Sequence, residues 1–153
     1  MLFRSQRQPL AREFTRAQIS QVAPVNGAAP ETDNYFRLFD QDFAQWRLSI
    51  DGLVTRPLSL SLADLKGLPS ASQITMHTCE EGWSFIAEWT GVELSHVLRL
   101  AGIRDEARYV VFYPFDQWWD SLDMSDAFHP QTLLAYGMNG DNLPADHGAP
   151  LRL

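Results

Sequence analysis

Residues 73–84 read QITMHTCEEGWS and contain the only cysteine of the chain. The alternation of apolar and polar residues up to Thr78 predicts a β-strand, and Gly82 marks the turn that follows it. Side chains of a strand alternate between its two faces, which places His77 and Cys79 on the same face. The stretch therefore predicts a thiol and an imidazole together at the end of a strand.

Three chemical roles are open to Cys79. A lone cysteine is often a small buried apolar residue. It can also be a nucleophile activated by His77, as in a thiol hydrolase or transferase, but the carboxylates of Glu80 and Glu81 follow directly and disfavour a free thiolate. The third role is that of a metal ligand, because a bound cation keeps the sulfur deprotonated in spite of these carboxylates.

A zinc site built only from protein side chains does not fit this sequence. Outside the stretch, the histidines stand at positions 96, 129 and 147, with no CxxC or HxxxH spacing. A single protein sulfur can still hold a metal when a cofactor brings the remaining ligands, and soft donor atoms on an organic group suit that arrangement. The sequence therefore favours a metal carried by a cofactor.

Two motifs resemble those of a known family. Residues 77–83, HTCEEGW, followed by WTGVEL at 89–94, resemble the HxCxEGW…WxGVxL signature of the sulfite oxidase family, and HGAPLR at 147–152 resembles its [HN]GAPxR segment. The resemblance covers the chain from about residue 35 to residue 153. It implies an α+β fold over residues 35–153, with mixed sheets and flanking helices like the sulfite oxidase molybdopterin-binding core, and an extended N-terminal arm over residues 1–34.

The resemblance also implies a cofactor and residues that bind it. In that family a molybdenum ion is held on a pyranopterin dithiolene (Mo-molybdopterin), and the cysteine of the motif is the protein ligand of the metal, which here is Cys79. By the same resemblance, His77, His147 and Arg152 would seat the pterin and its phosphate, for which a guanidinium fork is suited. The family's aromatic-rich segment implies three more cofactor-binding candidates: Asn34, Tyr35 and Arg37.

A loop with two adjacent tryptophans, FDQWWDS at residues 115–121, is the best candidate for the mouth of a substrate site. Neighbouring side chains on a strand point to opposite sides, so one tryptophan is free to line a cleft. Its acidic residues favour a neutral substrate over an anion. The candidates for the mouth are Trp83, Asp116, Trp118, Trp119 and Asp120.

The function that the resemblance implies is that of a molybdenum-dependent oxidoreductase. Such an enzyme moves an oxygen atom to or from a small substrate, as sulfoxide reductases and sulfite dehydrogenases do. Electrons would pass through a separate partner, such as a cytochrome or a membrane haem subunit, because the chain has no CxxCH haem motif. A non-catalytic relative that binds no cofactor is an alternative, because family members continue beyond the position of Leu153.

Composition limits the remaining classes. A chain of 153 residues with 45% hydrophobic content can bury the core of one domain. A net charge of −7 argues against nucleic-acid binding. No apolar run is long enough to span a membrane or to act as a secretory signal. Alone, the sequence indicates a cytoplasmic protein, whereas the resemblance implies a periplasmic one whose signal is not visible.

Hydrophobic spacing predicts the other elements. We expect strands over residues 46–54 and 108–115, the second of them buried. We expect a helix that begins after an N-cap at Ser61 and ends at Lys66, and another over residues 92–101 that ends at Gly102. Residues 124–127 and 131–138 are predicted to form short helical or turn segments.

Overall fold

The computed structural model describes residues 9–115 and 119–153. Within these two ranges there is no helix that could cross a bilayer. The strands are β1 (Leu48–Ile50), β2 (Leu58–Leu60), β3 (Ala71–Thr78), β4 (Ser84–Glu93), β5 (Tyr109–Phe112), β6 (Asp120–Asp123), β7 (Leu133–Met138) and β8 (Asp141–Asn142). The helices are α1 (Asp33–Phe39), α2 (Leu62–Lys66), α3 (Leu94–Ala101) and α4 (Met124–Ala127), with 3₁₀ turns at Arg16–Gln18 and Ala145–His147.

A four-stranded sheet with the order β3-β4-β7-β8 is the centre of the molecule. Strands β3 and β4 form a hairpin whose pairing runs from Ala71 opposite Gly91 to Thr78 opposite Ser84. Strand β7 pairs only with the last part of β4, from Trp89 to Glu93. The hairpin therefore extends past β7, and its turn lies at one end of the sheet.

Two smaller sheets flank this centre, β1 with β2 and β5 with β6. Every strand pair in the described ranges is antiparallel. Antiparallel sheets combined with a few short helices make an α+β fold, as the resemblance implied. The sheets are not mixed as expected, because hairpins and short connections pair the described strands antiparallel.

The central sheet has a hydrophobic core on each face. The first core contains Phe85 and Trp89 of β4 together with Tyr35 of α1. The second core contains Val92 of β4 and Val97 of α3. Because side chains alternate along a strand, β4 supplies both cores at once, as a central strand covered on both faces does.

Several local predictions are confirmed. Helix α2 has the predicted cap, in which Ser61 and Asp64 satisfy each other's backbone N–H groups. Helix α3 ends at Gly102, which has a left-handed backbone with φ of 69°. The residues at 124–127 form helix α4. Each of these signals acts over a few neighbouring residues, so the sequence alone carries it.

Two predictions of element type or boundary are wrong. Residues 131–138 were predicted to be helical or turn, but they contain the buried strand β7. Helix α3 begins at Leu94 and not at residue 92, because Val92 and Glu93 pair with Leu134 and Leu133 of β7. A short apolar run fits either a helix or a central strand, and here the sheet decides which one forms.

The predicted strands at 46–54 and 108–115 are present but shorter. Strand β1 covers only Leu48–Ile50. The predicted strand at 108–115 is not buried, since Tyr109 and Val111 of β5 are 67% and 42% exposed and Tyr113, which follows the strand, is 82% exposed. Strand β5 belongs to a two-stranded sheet of which only one face packs against a core. The β-branched and aromatic residues on the other face are therefore exposed.

The N-terminal arm is attached to both edges of the β3–β4 hairpin. Glu13 pairs with Thr75 on the outer edge of β3, where Phe14 N donates to Ile74 O at 2.8 Å. Ser20 N then donates at 3.0 Å to Ile86 O, on the part of β4 that β7 does not reach. We call residues 13–20 the strap, because they cross from one edge of the hairpin to the other.

Candidate cofactor-binding site

Cys79 lies in the turn between β3 and β4. Its N–H donates to Trp83 O at 2.9 Å, and Gly82 N donates back to Cys79 O at 3.0 Å. Gly82 has φ of 92°, a conformation that glycine adopts without strain. The predicted strand and glycine turn are therefore confirmed, and they hold a partly buried thiol at the end of the hairpin.

A side chain from the N-terminal arm reaches this thiol. Asn26 Nδ2 donates to Cys79 Sγ at 3.6 Å, across 53 positions of sequence. Sequence reasoning missed this contact, since Asn26-Gly27 indicates only a turn.

His77, His147 and Arg152 meet next to β3 and β4, and we call these three residues the basic cluster. Arg152 Nη2 donates to His77 Nδ1 at 3.5 Å, and Arg152 Nη1 donates to the backbone oxygen of His147 at 3.2 Å. The guanidinium also lies 5.1 Å from the ring centre of Trp89. The structure thus brings together the two motifs that the sequence separates by about 70 residues.

Burial sets the electrostatics of the basic cluster. It lowers the pKa of His77 below its usual value, and the positive charge of Arg152 lowers that pKa further, with a smaller contribution from His147. Burial also lowers the pKa of Arg152, but a guanidinium keeps its charge at neutral pH. Arg152 is therefore a partly buried cation next to an imidazole that is held neutral.

No carboxylate neutralises this cation in the described part of the chain. Among residues 9–115 and 119–153 the one salt bridge joins Arg16 to Glu88, on another part of the sheet. A partly buried cation without a carboxylate partner is suited to bind an anion such as a phosphate. The basic cluster therefore fits the phosphate-bearing pterin that the sequence implies.

Phe85 is the hydrophobic centre of the site. Its ring centre lies 5.2 Å from that of His77, 5.7 Å from that of His147 and 6.1 Å from that of Trp83. Sequence reasoning missed this residue. The signal was present, because Phe85 lies between Trp83 and Trp89 in the period-two pattern of β4.

Tyr35 connects α1 to the HGAPLR segment. It is 2% exposed, and its hydroxyl donates to the backbone oxygen of Ala149 at 3.0 Å. Burial, with a further contribution from the charge of Asp146, raises the pKa of Tyr35. The neutral phenol thus positions the segment that carries His147 and Arg152.

The two polar neighbours of Tyr35 face away from it. Arg37 Nη2 donates to Asn34 Oδ1 at 2.9 Å, and both residues are exposed on α1. Asn34 and Arg37, both predicted to bind the cofactor, thus bind each other. Neither takes part in the contacts that connect Tyr35 to the basic cluster.

The residues predicted to form a substrate mouth are placed in different ways. Trp83 is partly buried, stacks against Phe85 and donates from Nε1 to Glu81 Oε2 at 2.9 Å. Trp119 is 69% exposed, and Asp120 begins β6 on the surface. The other two candidates, Asp116 and Trp118, lie outside the described residues. Trp83 is thus the one of the three described candidates that contacts the hydrophobic centre.

A metal at Cys79 would need ligands from a cofactor. In the two described ranges, no three histidine, cysteine or acidic side chains are close enough to hold a metal ion together. The thiol at the turn would bind such a metal. The cation of the basic cluster, which has no carboxylate partner in the described residues, would bind the metal's organic ligand.

Comparisons with known proteins identify the family and relatives of this chain. Residues 36–153 match the model of the oxidoreductase molybdopterin binding domain. The putative protein-methionine-sulfoxide reductase subunit YedZ1 of Azospira oryzae is 43% identical over 144 residues, which cover 94% of this chain and 53% of that protein. The protein-methionine-sulfoxide reductase catalytic subunit MsrP of Xanthomonas axonopodis pv. citri is 39% identical over 124 residues, which cover 71% of this chain and 38% of that protein.

A solved structure has a similar fold. The sulfane dehydrogenase SoxCD from Paracoccus pantotrophus matches with a TM-score of 0.67 at 26% identity, over 71% of this chain and 33% of that chain. The chain thus spans about half of the length of the first relative and less of the other two proteins.

Proposed function

This chain belongs to the oxidoreductase molybdopterin binding domain family, and on that basis we propose that it binds Mo-molybdopterin as part of an oxygen-atom-transferring oxidoreductase. The observation that carries the proposal is the basic cluster, whose cation lies partly buried near the thiol turn without a carboxylate partner in the described residues. When bound, the cofactor would supply the two-electron chemistry of the metal.

Each part of the site has a role in this proposal. Cys79 would be the protein ligand of molybdenum through its thiolate. Arg152 would bind the cofactor phosphate, and His147 and the neutral His77 would hydrogen-bond the pterin. Trp83 would exclude water beside the metal, since its ring stacks against Phe85 at the end of the hairpin. Tyr35 would hold the phosphate-binding segment through Ala149.

The substrate that we propose is a neutral sulfoxide, such as oxidised methionine. Its reduction consumes two electrons and two protons and releases the thioether and water. Two observations support this direction. The relatives at 43% and 39% identity are named as methionine-sulfoxide reductase subunits. The cation of Arg37, a predicted cofactor-binding residue, donates to Asn34 on the surface and is not turned towards a substrate anion.

The proposal requires a source of electrons outside this domain. A haem protein, such as a cytochrome or a membrane haem subunit, would supply them one at a time. The word "subunit" in the names of both relatives supports a separate partner. The resemblance of the two motifs to the sulfite oxidase family also leads us to propose that the enzyme lies in the periplasm.

The test is the cofactor content of the wild-type chain and two variants made in a host that synthesises the cofactor. We expect about one molybdenum and one pterin per wild-type chain, measured by elemental analysis and pterin fluorescence. Cys79→Ser would change the metal's electron paramagnetic resonance spectrum, because oxygen replaces sulfur as the ligand. Thr78→Ser, which alters an exposed neighbour of Cys79, would keep the wild-type metal content and spectrum.

Other outcomes would support other functions. Folded wild-type protein without metal or pterin would favour the non-catalytic alternative. Rapid alkylation of Cys79 and hydrolase activity in metal-free protein would favour the thiol enzyme. With loaded protein, reduction of methionine sulfoxide rather than oxidation of sulfite would establish the direction of the reaction.

A further inference from the structure

We propose that Asn26 positions the thiolate of Cys79 and adjusts the reduction potential of the metal bound there, and that the strap holds Asn26 in place. The contact between the two side chains belongs to the protein itself. Its effect on a metal rests on the function proposed above, so the two parts are tested separately.

The side chains of Asn26 and Cys79 are in direct contact. Asn26 Nδ2 donates to Cys79 Sγ at 3.6 Å, which is a normal distance for a hydrogen bond to sulfur. An N–H donor next to a metal-bound sulfur draws electron density from it. The thiolate then donates less charge to the metal, which favours the reduced state.

The arm before Asn26 is attached to both strands of the hairpin. On β3, Phe14 N donates to Ile74 O at 2.8 Å. On β4, Ser20 and Ile86 exchange two hydrogen bonds of 3.0 Å, one from Ser20 N to Ile86 O and one from Ile86 N to Ser20 Oγ. The strap is thus held by backbone groups on both edges of the hairpin that carries Cys79.

An ion pair joins the middle of the strap to the sheet. Arg16 Nη2 lies 2.7 Å from Glu88 Oε1, and the side chain of Glu88 is only 9% exposed. A buried carboxylate needs a charged partner, so the position of Arg16 is strongly favoured.

The chain packs against the first core on either side of Asn26. Ala23 and Ala29 pack against the first core, whereas Asn26 and Gly27 between them are exposed. Gly27 has φ of 76°, which permits the tight turn at the tip. Both ends of this short loop are therefore fixed, and Asn26 is presented to Cys79 without becoming buried.

The contact can be tested in metal-free protein by the side-chain amide resonances of Asn26 in a ¹H–¹⁵N spectrum. Replacing the acceptor in Cys79→Ala should move these resonances towards the positions of a solvated asparagine. Thr78→Ser should leave them in place. Asn26 resonances that do not respond to Cys79→Ala would overturn the contact, whether or not the chain binds molybdenum.

The effect on the metal is tested in loaded protein by a redox titration followed by electron paramagnetic resonance. Asn26→Leu keeps the size of the side chain and removes the donor, so the metal should become harder to reduce. We expect about a tenfold change in the one-electron equilibrium, which is a fall of about 59 mV in potential. Asn26→Asp should lower the potential at least as far, because it also adds negative charge.

The matched control is Asn142→Leu, which alters an exposed asparagine on β8 and should leave the potential unchanged. An Asn26→Leu protein with full metal content and the wild-type potential would overturn the proposed effect. Wild-type protein without metal would instead contradict the proposed function, and the spectrum of the metal-free protein would still decide whether the contact exists.

Discussion

At the scale of single residues, Arg152 is the most constrained side chain of the site. It contacts His77, the backbone of His147 and the ring of Trp89. Gly148, in the turn before it, has φ of 101°, a conformation that glycine adopts without strain. The arginine is thus placed for binding before any ligand arrives, which lowers the entropy that binding costs.

We predict that Arg152→Gln lowers pterin retention at least tenfold, because a charge-assisted hydrogen bond contributes about 1.5–3 kcal/mol. The measurement is pterin fluorescence per folded chain after gel filtration. The matched control is Arg99→Gln. Arg99, on α3, also lies over an aromatic ring, with its guanidinium carbon 5.3 Å from the ring centre of Phe128. Equal retention in the two variants would contradict a role of Arg152 in binding the phosphate.

At the scale of elements, the junction of β4 and β7 connects the two motifs. Gly91 of the WTGVEL motif lies where the pairing of the two strands shifts, between Thr90 and Gly91. On its other side, β7 binds the last motif, since Ala135 and Arg152 exchange two backbone hydrogen bonds of 2.7 and 2.9 Å. The spacing of β4 and β7 therefore decides where Arg152 lies relative to His77.

We predict that Gly91→Ala destabilises the protein by about 1–3 kcal/mol, because overpacking forces the backbone to shift. A Cβ atom there would lie 2.1 Å from Leu134 O and 2.7 Å from the Cα of Ala135, and both of these are backbone atoms. The measurement is the free energy of unfolding in urea. Ser84→Ala, at the exposed start of the same strand, should change that energy by less than about 0.5 kcal/mol. Equal changes of the unfolding free energy in Gly91→Ala and Ser84→Ala would show that the backbone of β7 does not lie so close to Gly91.

At the scale of the whole molecule, the N-terminal arm and the sheet form one unit. The strap covers the outer edge of β3 and the uncovered part of β4, so backbone groups that would otherwise face solvent are paired. Its ion pair joins Arg16 of the arm to the buried Glu88 of the sheet. The described part of an arm that was predicted to be extended is thus part of the structure around Cys79.

We predict that Arg16→Ala lowers the free energy of unfolding by about 1–3 kcal/mol, the cost of leaving a buried acceptor without its partner. Thermal and urea unfolding would measure the change. The double variant Arg16→Ala/Glu88→Gln should lose less than the sum of the two single variants, because the buried charge is then removed. The control is Arg47→Ala, which alters an exposed arginine that binds backbone oxygens near itself in sequence. A loss no larger than that of the control would mean that the strap is held without the ion pair.

Local features were predictable because their causes lie within a few residues. The capping pair Ser61 and Asp64, the glycine at the end of α3 and the turn at Cys79 each depend on near neighbours. Local spacing was not enough for residues 131–138. Their apolar run suits a helix or a buried strand, and pairing with β4, about 40 positions away, made it a strand.

The residues of the two motifs could be read from the sequence, because motif letters are local properties of the chain, and their resemblance to the sulfite oxidase family implied the family and the α+β class. Only the tertiary structure decided that Arg152 meets His77, that Phe85 is the centre of the site and that Asn26 reaches Cys79. The physical reason is that each of these contacts requires the hairpin, β7 and the strap to be packed first. A pattern of neighbouring residues cannot encode a distance between atoms that only packing brings together.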